Sequence, residues 1–128
     1  MSLIIPRFLD VEASSLSDTS YPIEIAWSDE QGNIESQLIN PYAIEAWTDW
    51  DFYAQHEIHG ISRAMCREEG VHPEEMCALM SQSINPGELI YADGGRFDVN
   101  WVDVLYGAGS RLGYAQFVVT HSDTVMLP

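Results

Sequence analysis

Lysine is missing altogether, and five arginines face twenty acidic residues, for a formal net charge of −15 over 128 residues. A surface this negative repels a phosphate backbone, which excludes the broad basic footprint of a tight duplex binder. Any nucleic-acid chemistry must then rest on metal ions, a few arginines and local grooves, while the bulk of the acids serves solubility. Cysteine is scarce as well. Cys66 and Cys77 lie eleven residues apart in helix-like segments, which excludes a CxxC metal site and a secreted disulfide framework and leaves buried free thiols. No uninterrupted apolar stretch approaches the ~20 residues needed to span a bilayer. Met1 to Pro6 lack the basic start and long apolar run of a signal peptide. The expectation is a soluble, cytoplasmic protein with no membrane partner. Repeats, linkers and low-complexity segments are lacking too, and 46% hydrophobic content suits one domain, residues 1–128, with a real core.

What is present reads as an α/β chain. Arg7 to Ala13 is a short apolar run after Pro6 that ends at SSLSDTS, a strand leaving into a loop. Ile23, Ile25 and Trp27 alternate with Glu24, Ala26 and Ser28, and Ile34 to Ile39 follows across DEQGN, so a hairpin is predicted, with Gly32 and Asn33 suited to positive φ. The aromatic stretch Tyr42 to Tyr53 is read as a loop and a helix of about two turns. Ile61 to Glu69 is helical and stopped by Gly70; Pro73 opens the next helix, with Glu74 and Glu75 in its first turn and Met76, Leu79, Met80 and Ile84 as its stripe. Glu88 to Ala92 is a fourth strand. Phe97, Trp101, Val104, Leu105 and Ala108 recur at helical spacing, and Ala115 to Thr120 is a fifth strand. The order suggests a mixed five-stranded sheet, an antiparallel three-strand meander plus parallel strands, flanked by helices.

Asp10-Val11-Glu12 is the sharpest local anomaly. Residues two apart on a strand share a face, which puts two like charges about 7 Å apart or less. Burying such a pair calls for protonation, an arginine partner or a bound cation, and oxygen-only ligands favour Mg²⁺ or Mn²⁺. The alternative is a pair on the solvent face of an edge strand. Asp98 falls in the first turn of the helix after the fourth strand, where the helix dipole favours a carboxylate and α/β sheets place ligands; a plain helix-capping acid is the other reading.

These segments together resemble one family. FLDVEASS is similar to the first motif of the DEDD (DnaQ-like) 3'-5' exonucleases, of the ribonuclease H-like superfamily, in which an Asp-x-Glu on the first strand binds two metal ions. IHGIS, Ile58 to Ser62, resembles the Val-His-Gly-Ile segment that follows the first three strands in proofreading members. ELIYADGGRFDVNWVDVLY, Glu88 to Tyr106, resembles the second motif, a strand-to-helix turn that supplies the third acid. The resemblance implies that Asp10, Glu12 and Asp98 are catalytic and metal-binding, holding two Mg²⁺ or Mn²⁺ ions for phosphodiester hydrolysis. Asp93, in the preceding turn, either adds to that set or orients the loop. His59, Gly60 and Ile61 would hold a terminal nucleotide, the alternative being a structural turn. Arg96 is the candidate phosphate contact, with an ion pair to a neighbouring acid as its other fate. The implied partner is a single-stranded nucleic-acid end or a short oligonucleotide, since short substrates demand fewer phosphate contacts.

The third motif of the family, a His with an Asp five positions later on a C-terminal helix, has no match. His121 is the only histidine after Asp98; five positions on stands Met126, and Asp123 is two away. The motif helix is therefore expected to be missing, the domain C-terminally shortened, and His121 a surface histidine at a strand end. His56 and His72 are read as surface or capping residues. Without a general base and a fourth acid, turnover should fall ~100-fold or more per group, so a catalytically degenerate binding or regulatory module is the alternative function. A bared sheet face would call for cover, and a homodimer using Val125-Met126-Leu127 is one way to supply it.

Overall fold

The computed structural model describes residues 6–121. Strand β1 (Arg7–Ala13) alternates strictly: Arg7, Leu9, Val11 and Ala13 are buried, while Phe8, Asp10 and Glu12 point the other way. It pairs antiparallel with β2 (Pro22–Ser28), Leu9 opposite Trp27 and Val11 opposite Ile25, and β2 turns into β3 (Ile34–Leu38). Asp29 builds that hairpin, its Oδ1 accepting the N–H groups of Gln31 and Asn33 while Gly32 takes φ 87°. Strand β4 (Leu89–Ala92) lies parallel to β1, and β5 (Val118–His121) parallel to β4, for a sheet order β3-β2-β1-β4-β5. The mixed five-stranded α/β sheet expected from the chain is the one observed.

Between the meander and β4 lie α1 (Phe52–Ala54), which widens into a π turn over Gln55–His59, then α2 (Arg63–Glu69) and α3 (Pro73–Ser83). Their ends follow local chemistry. Ser62 Oγ accepts the Met65 N–H at the start of α2, and His72 Nδ1 accepts that of Glu74 at the start of α3. Helix α4 (Arg96–Gly109) joins β4 to β5. Its buried residues are Asp98, Trp101, Val102, Leu105 and Tyr106, whereas Phe97, assigned to the stripe by spacing, is 46% exposed. The face is turned by one position because Asp98, not Phe97, faces the sheet. The aromatic stretch gives the expected loop and helix of about two turns, displaced toward the C-terminus: a short 3-10 turn (Pro41–Ala43) and loop come first, and the helical turns run from Phe52 to His59.

Helices α3 and α4 pack on each other and cover the sheet face that carries Leu9, Val11, Ile23, Ile25, Trp27, Ile90 and Ala92. Cys66 and Cys77 are buried free thiols, pushed up to about 11 and about 12 by burial. Arg7 is the interior cation. Its Nη1 donates to Glu88 at 2.6 Å, its Nε to the Ser28 carbonyl at 3.0 Å and its Nη2 to the Ser83 carbonyl at 3.1 Å, tying β1, β2, α3 and the entry to β4 together. Among the described residues no helix is long and apolar enough to cross a membrane. The side chain of His121, Asp123 and the Val125–Leu127 tail lie outside the described residues.

Replacing Arg7 with methionine leaves Glu88 and two carbonyls without their donor, and we expect a loss of about 2–4 kcal/mol. The urea midpoint measures it, and a midpoint equal to that of the parent would show that the tie carries no weight.

Candidate active site

β1 carries Asp10 and Glu12 out on the face opposite the helical core, Asp10 exposed and Glu12 half-buried. β4 pairs with β1 only as far as Leu9 opposite Ala92; there the chain leaves through Asp93-Gly94-Gly95 into α4. Both glycines are required. Gly95 adopts φ 66°, ψ −142°, a region closed to residues with a Cβ. Gly94 lies against the Asp98 carboxylate, so that a Cβ there would collide with it, and its N–H donates to Asp98 Oδ2 at 3.1 Å. The Val11 N–H faces the same carboxylate. The first turn of α4 thereby sets the Asp98 carboxylate against Val11, the residue between Asp10 and Glu12, and Asp98 is only 2% exposed.

Burial pushes the Asp98 carboxyl up to about 6; the Gly94 and Val11 N–H groups pull it down, and the charges of Asp10 and Asp93 add to the rise. Glu12 is raised by burial and then by Asp10, Glu24 and Asp98. Glu24, opposite Glu12 on β2, is raised by burial and by Asp10. The three predicted acids thus share one electrostatic neighbourhood with a fourth, Glu24, which the β2 alternation could have revealed. No arginine acts on Glu12, Glu24 or Asp98.

Hard oxygen donors with uncompensated charge suit a divalent cation in chemistry. Their spacing does not, since among the described residues no group of three or more His, Cys, Asp or Glu side chains is close enough to hold a metal ion. The acids are electrostatic neighbours without forming a ligand set.

Glu12 also lines a pocket of about 160 Å³ with Leu16, Tyr53, Ile58, His59 and Trp101. His59 closes the π turn before Gly60, whose φ of 70° ends it. Nδ1 of His59 accepts the Ile61 N–H at 2.9 Å, which places the ring proton on Nε2. That nitrogen is buried and faces the Ala13 carbonyl without the alignment of a hydrogen bond, and burial lowers the His59 pKa, offset in part by Ala13. Gly60 is exposed and Ile61 is buried behind the pocket wall. Arg96 is exposed at the start of α4, with no carboxylate at ion-pair distance among the described residues. The apolar walls of the pocket escaped sequence reasoning, although Trp101 stands one helical turn after Asp98.

No protein-family profile matches the chain, and no curated protein does. Solved structures do. Exonuclease I from Methylocaldum szegediense superposes with a TM-score of 0.62 and 17% identity, over 90% of this chain and 27% of that one. E. coli exonuclease I in complex with a dT13 oligonucleotide gives 0.59 and 16%, over 91% and 28%. A product-bound exonuclease I gives 0.61 and 15%, over 91% and 30%. The chain therefore spans less than a third of the length of these proteins, and at such identity the likeness is one of fold: a ribonuclease H-like α/β sheet shared with exonuclease I.

Asp98 provides a pH signature. Folded, it keeps its proton up to about 6, whereas the ordinary value is 3.8. Folding is therefore penalised as pH rises through that window, and the penalty is complete above it. From about pH 3.5 to about pH 7.5 the stability of Asp98→Asn should gain about 2–3 kcal/mol on the parent. Urea titrations at the two pH values read this directly, and a difference independent of pH would rule out a penalised carboxylate.

Proposed function

We propose that this chain is a metal-dependent nuclease of the DEDD type, hydrolysing phosphodiester bonds at the 3' end of single-stranded nucleic acid or of short oligonucleotides. The observation that carries the reading is the set of uncompensated carboxylates, Asp10, Glu12 and Asp98, flanking Val11 on a fold shared with exonuclease I. Asp10, Glu12 and Asp98 would hold Mg²⁺ or Mn²⁺, which would supply a bound water of lowered pKa and positive charge for the phosphate. The chain's own contribution is position. Trp101, Tyr53 and Ile58 offer apolar walls to a terminal base beside Glu12, and His59 lines the same pocket. Arg96 offers an exposed cation for a phosphate. With a net charge of −15 the protein favours short, single-stranded substrates over duplexes.

A second reading, a nucleic-acid-binding or regulatory module without turnover, is favoured by one observation: the acids are not gathered as a ligand set. Labelled single-stranded DNA and RNA oligonucleotides incubated with Mn²⁺ separate the two. The nuclease reading expects stepwise release of nucleotides from the 3' end, reduced about 100-fold or more in an Asp10→Ala/Glu12→Ala double variant. It also expects saturable Mn²⁺ binding in calorimetry, weakened by Asp98→Ala. Oligonucleotide binding with equal background cleavage from both proteins would leave the module, and neither binding nor cleavage would remove both readings.

A further inference from the structure

The sheet has two faces with different fates. The face packed by α3 and α4 is closed. On the other, strand register sets Phe8 beside Tyr91 and Tyr91 beside Thr120, Leu89 beside Val118, Asp10 beside Ala26, Ala26 beside Ser36, and Ser28 beside Ile34. Four large apolar residues there stand open, from 43% exposure at Leu89, through Phe8 at 45% and Val118 at 50%, to 70% at Ile34. They reach across the whole sheet, about 19 Å at 4.8 Å per strand. Three of the five strands, β1, β4 and β5, are parallel, and parallel strands are ordinarily covered on both faces by helices. Around these four residues the described part of the chain leaves the face exposed. A groove of about 470 Å³ runs along it, walled by Phe8, Ala26 and Ile34 with Asp10 and Asp93 at its border.

Charge selects the occupant. Asp10, Glu12 and Glu24 share the face, and the arginines are elsewhere: Arg7 is turned into the opposite side against Ser83 and Glu88, and Arg63 and Arg67 lie over the Tyr42 ring. Arg96 begins α4, and Arg111 sits in the loop after it. A second copy would bring the same acids against these and add a further −15, a cost that an isologous contact cannot avoid. We propose that this face docks an amphipathic helix of a partner protein, apolar along one side and flanked by lysine or arginine. The proposal does not depend on the nuclease reading.

The test uses a synthetic helical peptide of about 18 residues, leucines along one face and lysines beside them, with a scrambled peptide of equal composition and a leucine–glutamate peptide as controls. Fluorescence anisotropy should show saturable binding of the first peptide alone. An Ile34→Ser/Val118→Ser variant, which keeps net charge, should weaken it about tenfold or more, and Leu112→Ser, exposed off the face, should leave it unchanged. Circular dichroism checks that both variants remain folded. Equal binding of the scrambled peptide, or equal binding by the Ile34/Val118 variant, would overturn the proposal by reducing the effect to bulk charge. Absence of binding would overturn it too. So would self-association of the parent, seen by sedimentation and lost in that variant, because the occupant would then be a second copy.

Discussion

The carboxylate of Asp98, held almost out of water against the backbone of β1, is the constraint on which the rest of this structure depends. It accepts the Gly94 N–H, lies against the Val11 N–H of the central strand, and leaves no room for a Cβ at Gly94. It also turns α4 so that Trp101, Val102 and Leu105 meet the core while Phe97 is left outside. Such a group is costly when ionised, since burial and the neighbouring acids both oppose its charge. A chain that retains it accepts lower stability at neutral pH, and violations of this kind concentrate where function is selected.

The distribution of cations sharpens that reading. Of five arginines, Arg7, Arg63 and Arg67 have structural partners, and none of the five acts on Asp98, Glu12 or Glu24. Arg7 holds strand ends together; Arg63 reaches the Trp47 carbonyl at 2.6 Å and the Tyr21 hydroxyl at 3.3 Å, supporting the Tyr21–Trp47 stack. That stack, with Ser14 and Ser15 donating to Asp49, fixes the loop that leaves β1 just beyond Glu12. Arg7 and Arg63 are thus spent on the frame around the acids, whose charge no arginine offsets.

Much of the frame was legible. The apolar run of residues 7–13, the period-two alternation of 22–28, a capping His72 and the opening Pro73 are local signals, and the elements they mark form where expected. Where loop gives way to helix after residue 42 was not legible, because the course of this stretch is set by contacts with Tyr21, Ser14 and Arg63, remote in sequence. The same holds for the pocket beside Glu12, whose walls come from three separate segments, and for the exposure of Ile34 and Val118, which depends on what covers a sheet face.

By itself the sequence determined the strand and helix order, the pairing of Asp10 with Glu12 on one face, and an acidity that excludes duplex-like electrostatic binding. Those properties follow from short-range periodicity and from a sum of charges, neither of which needs a third dimension. Only the tertiary structure decided that Asp98 lies against the backbone at Val11, that Glu24 joins the acids, and that one sheet face stands open. Burial, alignment and mutual distance belong to segments brought together from afar, and those quantities set the energy of a charge or an apolar surface.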